Sequence, residues 1–150
     1  MNKKNRYERL YQQVKEQIEN SDDLVANMAS VIAIIHHKMP YFFWTGFYRL
    51  VEGELIVGPY QGPVACINLE KNKGVCWAGV NKQESIIVPD VDKFPGHIAC
   101  DSRSKSEIVV PLKNKNGEVT GVLDVDSKEL NAFDPEDACG LEKILELLQK

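Results

Sequence analysis

The sequence predicts an α+β fold, in which an antiparallel sheet of about five or six strands is covered by helices. Two observations lead to this prediction. Helical periodicity is confined to the two ends of the chain and one short insertion, whereas β-rich runs fill the middle. Strands grouped in this way, without regular alternation with helices, are typical of α+β domains. Because the 150 residues contain no internal repeat or linker, we expect one domain over residues 1–150.

The helices are predicted from apolar spacing and end signals. A first amphipathic helix is expected over residues 6–20, and a second follows it and ends at Pro40. A short helix is expected over residues 75–81. The last helix has the clearest start, because Asp134 can cap it and Pro135 suits the first helical position.

The strands are predicted from short runs rich in β-branched and aromatic residues. They cover residues 42–50, 54–60, 64–67, 85–89, 106–112 and 119–126. Turns that contain Gly53 and Gly117 would join the first two and the last two strands into hairpins. A long loop from Asp90 to Lys105 separates the hairpins, and a loop of this length in a compact domain is usually functional.

Charge and hydropathy exclude several classes of partner. The formal net charge is −4 and the isoelectric point is near 5.4, so we expect neither nucleic-acid nor anionic-membrane binding. The longest apolar runs are too short to span a bilayer, and the basic N-terminus is not followed by the apolar segment of a signal peptide. We therefore expect a cytoplasmic protein without a membrane partner.

Three of the four cysteines lie in one polar, loop-rich stretch. They are Cys66, Cys76 and Cys100, whereas Cys139 belongs to the predicted last helix. The chain contains no Cys-x-x-Cys pair, and its three histidines lie at no ligand spacing, so we predict neither a metal nor another cofactor. A nucleophilic thiolate with partner thiols that can close a disulfide on it would need such an arrangement. Thiol redox chemistry is the first hypothesis.

Several motifs resemble a known family. The segments 106–112 (SEIVVPL) and 121–127 (GVLDVDS) resemble the last strands of a GAF domain. Four further segments resemble the free methionine-R-sulfoxide reductases, which are stand-alone GAF enzymes: WTGFY at 44–48, GPYQGPVAC at 58–66, GVC at 74–76, and DV at 90–91 leading to FPGHIACD at 94–101. The likeness extends over nearly the whole chain.

The resemblance implies a role for each of the three cysteines. Cys100 matches the catalytic cysteine, which would attack the sulfoxide sulfur and become a sulfenic acid. His97 and Arg103 close to it would favour the thiolate. Cys76 matches a resolving cysteine, at a helix start where the dipole also favours a thiolate. Cys66 matches the third family cysteine, an alternative resolving thiol, although it could also be a buried residue of a strand.

The resemblance also implies a binding site for the substrate. Glu107, Asp124 and Asp126 match the family's carboxylates, and the two aspartates should face the same side of a strand. Clustered carboxyl groups could share a proton for the sulfoxide oxygen and hold the substrate ammonium group. Trp44 resembles the aromatic wall around the substrate methyl group, with Tyr48 beside it, although both could be core aromatics. Backbone amides of the loop over residues 90–101 could bind the substrate carboxylate.

The implied function is reduction of free methionine-R-sulfoxide, with a thioredoxin-like reductant recycling the enzyme. Two alternatives stay open at this point. A GAF domain could be a sensor for a small molecule, although the cysteine triplet favours the enzyme. The protein could also act through a partner bound by the amphipathic first helix, or that helix could form a homodimer.

Overall fold

The computed structural model describes residues 2–97 and 100–150, and its sheet carries helices on both faces. The elements in chain order are α1 (Lys3–Ile18), α2 (Leu24–Lys38), β1 (Trp44–Val51), β2 (Glu54–Gln61), β3 (Asn68–Leu69), α3 (Gly74–Lys82), β4 (Ile86–Val88), a 3-10 turn (Val91–Lys93), β5 (Ser106–Lys113), β6 (Val119–Ser127) and α4 (Pro135–Glu146). Among these residues, no helix has both the length and the apolar character needed to cross a membrane.

The six strands form one sheet in the order β3-β2-β1-β6-β5-β4, and every neighbouring pair is antiparallel. The predicted α+β class and strand number are therefore confirmed. The two predicted hairpins, β1–β2 and β5–β6, are both present. They meet in the middle of the sheet, where β1 pairs with β6.

One predicted strand is wrong. Residues 64–67 form no strand, and the short edge strand β3 begins one residue later, at Asn68. Val64 and Ile67 have the β-branched side chains of a strand, but 85% and 71% of their surfaces are exposed. Because these side chains are largely exposed, little burial supports the local preference for a strand.

Helices α1, α2 and α4 cover one face of the sheet. The apolar stripe of α1 consists of Tyr7, Leu10, Val14 and Ile18, all buried within the chain in the same cluster as residues of α2 and α4. The i, i+3 and i+4 spacing of this stripe explains why the segment is helical. Since the stripe is already covered, it is not available for the partner or homodimer contact suggested by the sequence.

The opposite face of the sheet carries α3 and a second apolar cluster. Alternation along β6 places Leu123 and Val125 in the core beneath the three helices. Asp124 and Asp126 point to the α3 side, where both line a cavity. The prediction that these two aspartates share a face is confirmed.

The long loop after β4 is tied to the sheet at both ends. The Val91 amide donates to the Lys105 carbonyl at 2.9 Å, and the Lys105 amide donates to the Ser127 carbonyl at 2.7 Å. These bonds fix the loop ends beside β6. Ile98 and Ala99, which belong to the family-like motif, lie outside the described residues.

A buried carboxylate joins the two ends of the chain. Asp134 and Asp137 form the predicted cap of α4, with each side chain accepting from the other's backbone amide. The fully buried Asp137 carboxylate also accepts from Lys3 Nζ at 2.7 Å, from the Tyr7 hydroxyl at 2.7 Å and from the Tyr41 hydroxyl. This network joins α1, α4 and the segment before β1 that carries Tyr41.

Replacing this carboxylate should therefore destabilise the fold. In Asp137→Asn the amide cannot accept all of these donors or balance the lysine charge, so we expect a loss of about 2–3 kcal/mol in the free energy of unfolding. Urea denaturation measures it. The matched control is Glu136→Gln, an exposed neighbour in the same turn, which should cost less than about 1 kcal/mol. Equal stability of the two variants would contradict the structural role of Asp137.

Candidate active site

Strand register places three carboxyl groups side by side. Glu107 on β5 is paired with Asp126 on β6, and Asp126 is paired in turn with Trp44 on β1. Asp124, two residues before Asp126, lies opposite Gly46 on β1. The sequence-predicted acids are therefore brought together by hydrogen bonding across adjacent strands.

Burial shifts the protonation of all three groups. The exposed fractions of Glu107 and Asp124 are only 5% and 6%. Burial, with the nearby charge of Asp126, raises the pKa of Glu107 to about 8. Burial and the neighbouring carboxylates also raise the pKa values of Asp124 and Asp126 well above the ordinary range. The cluster therefore retains protons at neutral pH.

One carboxyl oxygen of this cluster, the buried Asp124 Oδ1, has no N–H or hydroxyl donor among the described residues. The hydrogen-bonding partners of the Asp124 side chain are the carboxyl groups of Glu107 and Asp126. His97 Nδ1 lies 3.9 Å from Glu107 Oε1, and burial lowers the pKa of His97, which favours its neutral form. A buried carboxylate oxygen without a donor is costly, so a ligand with an N–H donor would be favoured here.

The same position holds donors that could ligate a metal. Ligand atoms of Cys76, Glu107 and Asp124 all lie within 4.8 Å of one another. Cysteine spacing could not reveal this group, because its three members come from α3, β5 and β6.

Aromatic rings line the same cavity next to the carboxyl groups. Trp44 stacks against Tyr48 and Tyr60, with ring centroids 5.8 and 5.3 Å away. Gly46 makes this possible, because a Cβ at that position would lie 2.5 Å from the Trp44 ring. The Trp44 indole N–H also donates to the Pro63 carbonyl at 3.0 Å. Trp44 is therefore held in place beside the carboxyl groups, where it both lines the cavity and belongs to the second apolar cluster.

The disulfide joins Cys100 to one of the two partner thiols that the resemblance implied. Cys100 is bonded to Cys66, with a Cα–Cα distance of 5.7 Å. The expected partner, Cys76, is free and buried near the start of α3. The Tyr48 hydroxyl donates to the Cys66 carbonyl at 2.8 Å and thereby anchors the segment that carries this cysteine. The disulfide therefore involves Cys66, the alternative resolving thiol, and leaves Cys76 without a covalent partner.

The expectation that the helix start favours a Cys76 thiolate is wrong. Burial, followed by the charges of Asp124, Glu107 and Asp126, raises the pKa of the Cys76 thiol well above its ordinary value. The helix dipole was expected to lower it, but dipole effects are small beside the desolvation of a fully buried charge. Cys76 is a neutral thiol in this site.

The loop around Cys100 is ordered by a local ion pair. Arg103 donates to both carboxylate oxygens of Asp101, at 3.0 Å from Nε and 2.7 Å from Nη2. The Arg103 guanidinium also lies 5.0 Å from the centre of the Phe43 ring. Arg103 therefore stabilises the conformation of the loop that carries Cys100, apart from any effect on the Cys100 thiol.

One cavity of about 60 Å³ unites these groups. This volume is several times what a single water molecule needs. Among the predicted site residues, those that line it are Trp44, Tyr48, Cys76, Cys100, Glu107, Asp124 and Asp126. Cys66 does not line the cavity, whereas its neighbour Ala65 does, and Cys139 is exposed on α4 and does not line it either.

Sequence reasoning missed two contributions to the site. Tyr60 stacks on Trp44 from β2, and the Tyr48 hydroxyl fixes the backbone at Cys66. The role of His97, next to Glu107, was also left open. Only the β1–β2 register could have shown the Tyr60 contact, since Tyr60 is paired with Gly46.

The raised pKa of Glu107 should make stability depend on pH. Folded Glu107 keeps its proton to about pH 8, whereas the ordinary value is 4.5. Between these values the folded state binds more protons, so the free energy of unfolding should fall as pH rises, by up to about 1.4 kcal/mol per pH unit for one proton. Glu107→Gln should have a shallower slope than the parent.

Urea denaturation at several pH values between about 5 and 8 measures this slope. The matched control is Glu16→Gln on the exposed side of α1, which should keep the parental slope. A parental slope in Glu107→Gln would show that this carboxyl does not hold a proton in the folded state.

Comparison with known proteins supports the geometry. A GAF domain family model matches residues 22–148. A GAF domain-containing protein A of Dictyostelium discoideum is 48% identical over 97% of this chain and 92% of its own length. The free methionine-R-sulfoxide reductase of Saccharomyces cerevisiae is 42% identical over 84% of this chain and 74% of its own length.

A solved structure has nearly the same fold. The free methionine-R-sulfoxide reductase from Neisseria meningitidis, in complex with its substrate, superposes with a TM-score of 0.94 and is 38% identical. The match covers 99% of this chain and 89% of that one. Sequence and fold agree, and the chain belongs to the free methionine-R-sulfoxide reductase family of GAF domain proteins.

Proposed function

We propose that this protein reduces free methionine-R-sulfoxide to methionine, with Cys100 as the nucleophile. The observation that carries the proposal is the single cavity in which a disulfide cysteine faces buried, proton-holding carboxyl groups and a fixed tryptophan. A sulfoxide reductase needs these three components, namely a thiol, a proton donor and an apolar wall. Membership of the family supports the same substrate.

Each part of the substrate has a partner in the cavity. The ammonium group would donate to Asp124, whose Oδ1 has no N–H or hydroxyl donor among the described residues, and to Asp126. The S-methyl group would lie against the Trp44 ring, with Tyr48 beside it. We further propose that backbone amides of the loop over residues 90–101 bind the substrate carboxylate.

The chemical step transfers oxygen from the substrate to the enzyme. The Cys100 thiolate attacks the sulfoxide sulfur while protonated Glu107 gives its proton to the sulfoxide oxygen. The new S–S bond then breaks as the resulting hydroxyl group passes from the substrate sulfur to the Cys100 sulfur. The oxygen ends on the Cys100 sulfur, so cysteine is oxidised by two electrons to a sulfenic acid and the sulfoxide is reduced to a thioether. A Glu107 that keeps its proton to about pH 8 is suited to this role.

The second thiol removes the sulfenic acid. Cys66 attacks the Cys100 sulfur, a disulfide forms and water leaves. Cys66 takes this role because it is the cysteine bonded to Cys100. Cys76 would act as a neutral thiol that packs against the carboxyl groups, within 4.8 Å of Glu107 and Asp124.

A dithiol reductant of the thioredoxin type would then restore both thiols, and no other cofactor takes part. A thiol enzyme recycled in this way needs a compartment in which disulfides are reduced. We therefore place the activity in the cytoplasm.

The function is tested by thioredoxin-coupled NADPH consumption with separate R and S epimers of free methionine sulfoxide. We expect turnover with the R epimer, at least about tenfold slower turnover with the S epimer, and no turnover with N-acetylmethionine-R-sulfoxide. The acetyl group removes the cation that Asp124 would hold. Efficient reduction of the N-acetyl compound would contradict the proposed binding mode, and no reduction of either free epimer would contradict the function.

Single-turnover experiments should distinguish the roles of the three cysteines. Cys100→Ser should release no methionine, because a serine hydroxyl is a far weaker nucleophile at neutral pH. Cys66→Ser should release about one equivalent per enzyme and then stop with thioredoxin, since its sulfenic acid has no resolving partner. Cys76→Ser should continue through many turnovers.

Mass spectrometry of the oxidised parent supplies the matching observation, a peptide pair linked through Cys66 and Cys100. The opposite pattern, in which Cys76→Ser stops after one turnover and Cys66→Ser continues, would give the resolving role to Cys76.

A further inference from the structure

Two large apolar side chains lie in solvent on either side of Cys66 in the chain. Val64 is 85% exposed and Ile67 is 71% exposed, and Cys66 lies between them in the chain. Cys100, the other half of the disulfide, is also exposed. Single exposed apolar residues are ordinary, but here two of them flank one cysteine of a bond that must be reached from outside.

The backbone between these residues is held in place. The Pro63 carbonyl accepts from the Trp44 indole at 3.0 Å, the Cys66 carbonyl accepts from the Tyr48 hydroxyl at 2.8 Å, and the Ile67 carbonyl accepts from the Val57 amide at 2.9 Å. With three anchor points in five residues, the segment cannot readily turn its apolar side chains inward. They are presented to solvent by a rigid support.

We propose that Val64 and Ile67 form a docking surface for the protein dithiol that reduces the Cys66–Cys100 disulfide. The proposal rests on the proposed function, in which this disulfide is the product of each turnover. A small thiol needs only access to the sulfur atoms. A protein must also bury surface around them, and apolar side chains that are already rigid cost little entropy to bury.

The exchange is balanced in electrons and protons. A thiolate of the partner attacks one sulfur of the disulfide, and the other sulfur leaves as a thiolate that takes up a proton. The second thiol of the partner then attacks the mixed disulfide and releases the remaining cysteine. The enzyme gains two electrons and two protons, and the partner becomes a disulfide. An apolar surface of two residues suits such a transient complex, whose interface is small.

The test compares two reductants acting on the oxidised protein without any sulfoxide. We would measure the second-order rate constant for disulfide reduction by thioredoxin and by dithiothreitol, using acid quenching, thiol alkylation and mass spectrometry. Ile67 is the residue to change, because it does not line the cavity, whereas Val64 does. Ile67→Glu should lower the thioredoxin rate constant about fivefold to tenfold, with the dithiothreitol rate constant within about twofold of the parent.

Matched variants control for size and charge. Ile67→Leu should keep the parental thioredoxin rate constant. Val25→Glu places the same charge on an apolar residue that is 60% exposed, but near the start of α2 on the other side of the sheet, and should also behave as the parent.

The proposal is overturned by any of three results. These are an unchanged thioredoxin rate constant in Ile67→Glu, an equal fall with both reductants, and parental protein that thioredoxin reduces no faster than dithiothreitol. Because this assay contains no sulfoxide, it can fail while the epimer assay succeeds, and the reverse, so the two proposals are judged separately.

Discussion

Three carboxyl groups side by side on one face of the sheet, two of them buried and one half-buried, are the constraint on which this site depends. Within the described ranges, neither lysine nor arginine forms an ion pair with Glu107, Asp124 or Asp126. Desolvation keeps protons on the cluster, as the raised pKa of Glu107 shows. The unfavourable free energy of burying these groups is offset by the other face of the sheet, which packs against three helices. The face that carries the site therefore need not contribute greatly to stability.

The same sheet controls the redox-active segment. Trp44 and Tyr48 project from β1 into the cavity, and each also donates a hydrogen bond to the segment that carries Cys66. The wall proposed to hold the substrate methyl group is thus also the support of the proposed resolving cysteine. A change in either aromatic residue would alter substrate contact and disulfide geometry together, which couples binding to thiol chemistry through a shared rigid element.

Local chemistry made much of the fold predictable, whereas the thiol pairing depended on tertiary structure. The cap of α4 was evident because Asp134, Pro135 and Asp137 act within one turn. Strand alternation alone predicted that Asp124 and Asp126 lie on the same face of the sheet. By contrast, Cys66 and Cys100 meet only because separate loops converge beside β1, and burial of Cys76 outweighs its helix position. The strand expected over residues 64–67 failed for a related reason, since its apolar side chains are presented to solvent.

Two buried aspartates show how the fold separates stability from chemistry. Asp137 is fully buried, and its oxygens accept from a lysine, two tyrosine hydroxyls and a backbone amide. Asp124 is almost as buried, yet no N–H or hydroxyl group of the described residues donates to its Oδ1. Burial costs both carboxyl groups their hydration. For Asp137, donors within the folded chain offset that cost. The polar partners of Asp124 are the neighbouring carboxyl groups of Glu107 and Asp126, so the cost of its burial appears as a raised pKa. An ammonium group bound in the proposed way would supply a donor that the described residues do not, and would offset part of that cost.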